Sequence, residues 1–440
     1  MPAPALERPR FWTLRSTRRI AFSSPTGSAS EQGSCMAASG SPLRIAQGQI
    51  EIPAGLRKVC FALGAMNVTI CLVAYLLGAW IYDRNGLGIP TDFISFWATG
   101  HLALEGVPAQ AFDWEILKRL EVAKLGQDFD GDFPWHYPPP FLFVASALAL
   151  LPYSVAYLGW ILASLVPYLA VMRAIVGHNF GVLLALASPF VLTNALVGQN
   201  GFLTAALIGG TLYLIPIRPV LAGICLGLLT YKPQYGLLFP IVLIAAGHWR
   251  VFISATVTTI AVFVASWLAF GTESWLAFFH WMPKSSQAIM TEGKATWWKL
   301  QSLYSIVRYF GGAEQLAWAF QSVLAALVAV GLALMWRSRL PYALKAAALA
   351  AGTLLATPYV AIYDMVVLAI AVAFLVRIGL RSGFRSYELP ALACALVLVA
   401  CYFAAKPTGL GVMLIVSILI LARVGSWWRR PVPRVAMAGE

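Results

Sequence analysis

The chain has 440 residues, of which 60% are hydrophobic and 11% are charged, and its formal net charge is +13 at pH 7. A soluble globular protein carries about 25% charged residues, so this composition excludes that class. The positive charge does not indicate nucleic-acid binding either, because the basic residues form short clusters between long apolar runs, as in the cytoplasmic loops of membrane proteins.

Residues 1–58 differ in composition from the rest of the chain. They are rich in Ser, Gly and Pro, hold eight Lys or Arg against three acidic residues, and lack the apolar core of a secretory signal. We therefore expect a disordered basic tail in the cytoplasm. The six cysteines of the chain show no metal-ligand spacing, so we expect neither a disulfide nor a metal site.

The run 59–82 has 24 residues without a charge, which is enough to cross a membrane. If it leads outward, the polar stretch 83–137 forms the first outer loop. That loop holds nine of the 18 acidic residues and only four basic ones. An acidic loop opposite a basic tail agrees with the positive-inside rule.

Apolar runs continue to residue 425, and the basic clusters between them can all face the cytoplasm. We predict an all-α polytopic membrane helix bundle of about 11–13 helices over 59–425, followed by a cytoplasmic tail at 426–440. A break is expected at Leu151-Pro152-Tyr153, where residues 138–172 resemble two helices although the charge pattern fits only one net crossing. A second outer loop is expected at 271–313, and an outer-face loop is expected to carry amphipathic helices. Further crossings are predicted near 180–197, 202–217, 219–231, 234–247, 251–270, 314–336, 341–357, 360–377, 388–405 and 408–423.

Polar residues with possible chemical roles are predicted at the outer ends of these helices. Asp92 begins an aromatic, amphipathic segment typical of a helix that lies along the membrane surface. It is a functional carboxylate, a helix N-cap or a solvated loop acid. His136 and Tyr137 precede three prolines that pre-set an extended entry into the next helix, and the alternative for them is a simple aromatic belt.

Two charged residues lie within apolar sequence. Lys232 is costly there unless it is paired or faces a polar cavity, and an anionic lipid phosphate is a natural partner for it. The alternative is a lysine that snorkels to the interface. Asp364 is either an outer-end anchor or a structural partner of Lys232 or Arg308.

Gln199 and Asn200 lie between two glycines where one apolar run ends and the next begins. Their amides are suited to sugar hydroxyls and equally to capping helix ends. The loop 271–313 contains four tryptophans, which favour the headgroup level of a membrane. Stacking on a sugar ring is the alternative role for them.

Five segments carry these residues in order along the chain. They are DFISFWATG with ALEGVPAQAFD (92–113), YPPPFLF (137–143), GQNGFLTAAL (198–207), GLLTYKPQYGLL (227–238) and ATPYVAIYDMVVL (356–368).

In these segments the chain resembles glycosyltransferase family 87, also known as domain of unknown function 2029, whose members are polyprenyl-phosphate-mannose-dependent mannosyltransferases of the glycosyltransferase-C fold. The resemblance implies that Asp92 is the base that activates the acceptor on the outer face. It also implies a prenyl-phosphate-sugar donor that enters between helices from the bilayer. The long polar N-terminus and the loop 271–313 match the family least well.

Taken together, residues and resemblance predict a membrane glycosyltransferase that moves a hexose, with mannose expected, by a single inverting displacement. Asp92 is the expected base. The donor phosphate is assigned to Lys232, His136 and Arg308. The residues assigned to the sugar or the acceptor are Tyr137, Gln199, Asn200, Gln234, Tyr359, Tyr363 and Asp364.

No cofactor is expected to be required, although a divalent metal is compatible with the chemistry. The expected partners are the lipid-linked donor, a lipid, glycan or protein acceptor, and membrane lipids. The expected location is the bacterial inner membrane, with both termini cytoplasmic and the active site on the periplasmic face. The alternatives are a secondary transporter, for which midplane charges are typical, and a non-catalytic lipid-binding membrane protein.

Overall fold

The computed structural model describes residues 51–293, 297–405 and 407–429. Within these residues the chain is helical and has no β-strand, which confirms the all-α polytopic prediction. The predicted tails, 1–58 and 426–440, lie largely outside the described residues, because residues 1–50 and 430–440 are not described. The helices are α1 (Ala54–Leu76), α2 (Phe93–Leu104), α3 (Trp114–Leu125), α4 (Leu142–Ala149), α5 (Tyr153–Val176), α6 (Phe180–Leu186), α7 (Pro189–Val197), α8 (Gly201–Leu214), α9 (Pro219–Leu228), α10 (Leu238–Ala245), α11 (Trp249–Ser286), α12 (Leu303–Tyr309), α13 (Glu314–Arg337), α14 (Tyr342–Ala356), α15 (Leu368–Ser382), α16 (Glu388–Ala405) and α17 (Gly409–Trp428).

Short turns connect several of these helices. The 3-10 turns span Pro108–Phe112, Pro139–Phe141, Leu229–Tyr231, Pro233–Tyr235, Trp297–Lys299 and Ile362–Val367, and a π turn spans Gln287–Thr291. The 17 described α-helices exceed the predicted 11–13, because the predicted crossing 180–197 is divided into α6 and α7, and because α2, α3 and α12 lie in the predicted outer loops.

Among the described residues, six helices are long and apolar enough to cross a membrane, or seven if α6 and α7 form one bent span. Helix α13 shows the surface expected of such a helix. Its side chains Leu327, Leu334 and Phe320 are 66%, 64% and 49% exposed, which suits contact with lipid rather than water.

The predicted crossing 180–197 is bent by 61° between α6 and α7. Pro189 begins the second helix and cannot continue the hydrogen-bond ladder of the first. Two carbonyls released at the bend, those of Leu186 and Ser188, accept hydrogen bonds from Nδ2 of Asn67 on α1 at 2.9 and 3.1 Å. A polar side chain inside α1 therefore satisfies the backbone that the bend exposes.

The predicted break near Pro152 separates α4 from α5. Only α5, with 24 residues, is long enough to cross. The eight-residue α4 instead packs against α2, where Gly100 lies so close that a Cβ would be 2.0 Å from the carbonyl oxygen of Ala145. This arrangement agrees with the single crossing that the charge pattern predicts for the segment.

The predicted second outer loop, 271–313, is largely helical in its described residues. Helix α11 is interrupted at Gly271, which has a φ of +73°, and continues to Ser286 as a separate helical piece. Gly271 lies at the predicted end of the crossing 251–270. Helix α12 follows at Leu303–Tyr309.

Helix α5 defines the two ends of the bundle. Its first residue, Tyr153, contacts Phe93 beside Asp92, with 5.6 Å between ring centroids. The carbonyl of Ile175 near its last turn accepts a hydrogen bond from Nη1 of Arg377 at 2.9 Å. The Asp92 end and this basic end are thus separated by about 36 Å, the length of a 24-residue helix.

Candidate active site

A cavity of about 830 Å³ lies at the Asp92 end of the bundle. It is bordered by the start of α2, the segment 130–138, the turn at Gln199, the turns around Lys232, the helical piece after Gly271 and the segments 299–300 and 359–363. Its polar and charged lining residues are Asp92, Ser95, Asp130, Asp132, His136, Tyr137, Gln199, Tyr231, Lys232, Gln234, Ser285, Ser286, Lys299, Tyr359 and Tyr363.

Asp92 occupies the N-cap position of α2, yet its side chain caps no backbone amide of that helix. Instead, Oδ2 accepts a hydrogen bond from Nε2 of Gln199 at 2.9 Å. The two residues are 107 positions apart in the chain. The structure thus directs the Asp92 carboxylate to the cavity rather than to its own helix.

Gln199 is held in one orientation by its second contact. The hydroxyl of Tyr137 donates to Oε1 of Gln199 at 3.1 Å, so the amide nitrogen is the atom left to face Asp92. Tyr137 is fixed by the prolines that follow it, since Pro138 is extended and Pro139 begins a 3-10 turn. This series of two hydrogen bonds, from Tyr137 to Gln199 and from Gln199 to Asp92, orients the Asp92 carboxylate.

Two glycines allow the Gln199 turn to approach its neighbours. Gly198 has a φ of +69°, and a Cβ there would lie 2.5 Å from Cβ of Phe93. A Cβ on Gly201 would lie 2.5 Å from the backbone oxygen of Tyr363. Any larger residue would push Gln199 away from Asp92 or from the segment 359–363.

The surroundings of Asp92 favour its protonated form. Enclosure by protein raises the pKa of the carboxyl above its usual value, and the Gln199 hydrogen bond and the charges of Lys299 and Lys232 counter this in part. Asp364 raises the pKa slightly further. A carboxyl with a raised pKa is a better proton acceptor once it is ionised.

Lys232 lies between two 3-10 turns that Pro233 separates, on the wall of the same cavity. Its Nζ is 2.6 Å from Oδ1 of Asp364, and both side chains are buried, at 5% and 0% exposure. Of the two interpretations of Asp364, the structural partner of Lys232 is therefore the one observed. The aromatic rings of Tyr363 and Tyr235 lie 5.3 and 5.9 Å from Nζ.

Most of the predicted site residues meet in this cavity. Those that line it are Asp92, His136, Tyr137, Gln199, Lys232, Gln234, Tyr359 and Tyr363. Asp364 lies fully buried behind Lys232. The structure brings residues from positions 92 to 363 together, although they are far apart in the sequence.

Besides Asp364, two predicted residues are not among the lining residues. Asn200 is fully buried beside Gln199. Arg308 donates hydrogen bonds to the carbonyls of Gly312 and Thr291, both at 3.0 Å, and its guanidinium lies 5.0 Å from the ring of Trp297. The structure therefore places Arg308 at the end of α12, where it ties α12 to the preceding turn.

His136 lines the cavity but carries no charge at neutral pH. Burial lowers the pKa of its imidazole to about 4. A neutral imidazole can still donate a hydrogen bond to a ligand or accept one from it.

The structure places three charged residues on the cavity wall whose sequence context indicates no role, namely Asp130, Asp132 and Lys299. All three lie in polar loops, where charged residues are ordinary. Only the folded arrangement distinguishes them from their neighbours. Within the described part of the chain, no three His, Cys, Asp or Glu side chains come together as a metal-binding group.

Comparison with known proteins adds one finding. The family model of glycosyltransferase family 87 matches residues 135–358, which is about half of the chain and includes the cavity residues from Trp135 to Lys299. Searches of curated proteins and of solved structures found no match.

Proposed function

Because the chain belongs to glycosyltransferase family 87 and is therefore a membrane glycosyltransferase, we propose that it transfers mannose from a polyprenyl-phosphate donor to an acceptor hydroxyl. The observation that carries the proposal is the Asp92 carboxylate, held by Gln199 on the wall of a cavity that Lys232 and Lys299 also line. A proton acceptor and two cations thus share one cavity large enough for a sugar phosphate.

The proposed reaction is a single displacement with inversion. The acceptor oxygen attacks the anomeric carbon and Asp92 takes its proton, while the bond from that carbon to the phosphate oxygen breaks. The electron pair leaves with polyprenyl phosphate. Oδ2 of Asp92 is held by Gln199, whereas Oδ1 accepts no hydrogen bond from any described residue and is the oxygen assigned to the acceptor.

The donor phosphate is assigned to the Lys232 side of the cavity. An ammonium has three N–H donors, so Lys232 can contact a phosphate oxygen while it keeps its bond to Asp364. His136 contributes a hydrogen bond rather than charge in this proposal, because its imidazole is neutral. Arg308 is left out, because its guanidinium is engaged by the carbonyls of Gly312 and Thr291.

The sugar is assigned to three further polar residues of the lining, namely Gln234, Tyr359 and Tyr363. Their amide and hydroxyl groups suit sugar hydroxyls, and the tyrosine rings suit the apolar face of a hexose. A monophosphate donor has less charge to neutralise than a nucleotide diphosphate, so the proposal needs no metal.

We place the cavity at the outer face of a bacterial inner membrane, with both termini in the cytoplasm. The support is the distribution of charge, since Arg173, Arg377, Arg385 and Arg423 lie at the basic end of the bundle, opposite Asp92. Positive residues are retained on the cytoplasmic side. Because the chain belongs to a glycosyltransferase family, we prefer this function to the two alternatives, a secondary transporter and a non-catalytic lipid-binding protein.

Asp92→Asn tests the base, because it keeps the size of the side chain and removes the proton acceptor. We expect a loss of transfer of about 10²–10⁴-fold, the usual contribution of a general base. In the assay, radiolabelled polyprenyl-phosphate-mannose is added to purified protein and acceptor membranes. EDTA is present because the proposed reaction needs no metal. Transfer is measured as the label that appears in the lipid and polymer fractions.

Asp113→Asn is the matched control. Asp113 is an acid of the same outer loop that caps α3 through the amides of Glu115 and Ile116, and asparagine caps equally well. Normal transfer by folded Asp92→Asn protein would show that Asp92 is not the base.

A further inference from the structure

The cations of the cavity differ in whether their charge is already balanced. Nζ of Lys232 is 2.6 Å from the Asp364 carboxylate, and both are buried, so this pair brings no net charge to an incoming ligand. Lys299 also lines the cavity and is exposed to it. It makes no ion pair with any residue that the structure describes.

The backbone on both sides of Lys299 is fixed to neighbouring segments. Leu300 forms an antiparallel bridge with Ala361, and the amide of Gln301 donates to the carbonyl of Val360 at 2.7 Å. The side chain of Gln301 donates to the carbonyl of Trp298 and accepts from the amide of Gly409, both at 2.9 Å. Lys299 is therefore held against the wall that carries Tyr359 and Tyr363, although it belongs to a long outer loop.

Lys299 also has a stronger electrostatic effect on Asp92 than Lys232 has. Its positive charge lowers the pKa of Asp92 more than the charge of Lys232 lowers it. A charge that acts on Asp92 across the cavity also acts on a ligand placed between them, which lies nearer to it.

We propose that Lys299 is the residue that supplies the net positive charge for the phosphate of a prenyl-phosphate ligand, while the neutral Lys232–Asp364 pair shapes that part of the wall. This assignment rests on the proposed function. The donor phosphate is a diester with one negative charge, and the departing polyprenyl phosphate is a monoester with up to two. An unpaired ammonium stabilises the charge that grows as the bond breaks.

The test is binding of polyprenyl phosphate, and of the uncharged polyprenol, to full-length protein in lipid nanodiscs. Lys299→Gln is expected to weaken binding of the phosphate by about tenfold or more and to leave polyprenol binding unchanged, because only the phosphate carries charge that the ammonium attracts. Lys299→Arg is expected to restore most of the affinity.

Lys284→Gln is the matched control. Lys284 is another exposed lysine of the same outer loop, lies 4.2 Å from the ring of Trp281, and is not a lining residue of the cavity. This variant is expected to bind both lipids like the wild type. Equal phosphate affinities for Lys299→Gln and the wild type, with Lys299→Gln folded by thermal unfolding, would overturn the assignment.

A transfer assay with polyprenyl-phosphate-mannose separates this inference from the proposed function. If the wild type binds polyprenyl phosphate but transfers no sugar from any polyprenyl-phosphate sugar, the proposed function fails and the binding result still decides the role of Lys299. If the wild type binds no polyprenyl phosphate, both fail.

Discussion

At the level of single residues, three side chains in series determine the position of the Asp92 carboxylate. Tyr137 sets the orientation of the Gln199 amide, and that amide sets the position of one carboxylate oxygen. Neither contact is local in sequence. These contacts indicate that Gln199 positions Asp92, in addition to the sugar contact that the sequence predicts for it.

Gln199→Leu tests this positioning through the pH profile. The Gln199 hydrogen bond lowers the pKa of Asp92, so its loss raises that pKa further above the usual value. Because the base must be ionised, kcat/KM falls as the pH falls through this pKa. We expect the acid limb of kcat/KM to move to higher pH in Gln199→Leu.

Gln234→Leu is the comparison, because Gln234 lines the cavity without contacting Asp92 through its side chain. It should leave the acid limb in place whatever it does to KM. An acid limb at the same pH in Gln199→Leu and the wild type would contradict the positioning role.

Glu121 on α3 supports a second pH prediction, this one on stability. It is 1% exposed, and burial raises the pKa of its carboxyl from 4.5 to about 9, with the charge of Lys118 opposing this only in part. The folded chain then holds a proton that the unfolded chain releases between these pH values. The stability contribution is complete below about pH 4.5 and is lost as the pH rises to about 9.

The melting temperature of the wild type should therefore fall more steeply from about pH 5 to about pH 9 than that of Glu121→Gln, which has no proton to lose. Glu115→Gln alters an exposed carboxyl of the same helix and should follow the wild type. Identical slopes for all three proteins would show that Glu121 is not held protonated.

At the level of secondary-structure elements, the packing of α2 on α4 determines where Asp92 lies. Their closest approach is at Gly100, where a Cβ would be 2.0 Å from the carbonyl oxygen of Ala145 and 2.7 Å from Cβ of Ala149. Neither helix is long enough to cross a membrane, so each depends on the other for its position. A shift of α2 moves Asp92, the proposed base.

Gly100→Ala is expected to force α2 and α4 apart, at a cost of about 1–3 kcal/mol in stability. A displacement of Asp92 by about 1 Å is enough to lower transfer by roughly 10²-fold. Thermal unfolding and the mannose-transfer assay measure the two effects.

Gly159→Ala is the control, since it adds the same methyl group inside α5 at a position with no neighbour within 4 Å. It is expected to be as stable and active as the wild type. Equal behaviour of the two alanine variants would contradict the packing argument.

Across the whole molecule, the bundle has an end with the cavity and an end where arginines cluster. At the basic end, Nη2 of Arg423 on α17 is 2.6 Å from Oε2 of Glu388 on α16, which joins the two helices. At the other end, α17 begins beside Gln301 in the loop that carries Lys299. The same helix thus connects the two ends.

Cysteine labelling tests which end faces outward. In a variant whose six native cysteines are replaced, Asp130→Cys places a thiol on an exposed loop at the cavity end and Arg381→Cys places one at the basic end. A membrane-impermeant maleimide added to intact cells should label the first variant. It should label the second only after the membrane is permeabilised, and the reverse pattern would invert the proposed topology.

Much of the architecture could be predicted from local patterns. Charge-free runs, the Leu151-Pro152-Tyr153 break and the end of a crossing at Gly271 all depend on residues adjacent in sequence, and the structure contains each of them. The division of the region 180–197 into two helices was not predicted. Pro189 is a local signal for this break, whereas the hydrogen bonds by which Asn67 satisfies the released carbonyls come from more than 100 residues away and leave no local signal.

The amino-acid sequence alone is enough to establish an α-helical membrane protein, because hydrophobicity acts residue by residue. It also identifies the charged side chains that lie within apolar sequence, because the cost of burying a charge applies to each residue separately. How those side chains combine depends on the folded chain. Folding pairs Lys232 with Asp364, joins Asp92 to Gln199, keeps Arg308 out of the cavity and brings Lys299 into it. Hydrogen bonds and ion pairs act over about 3 Å, so they exist only once distant segments have been packed side by side.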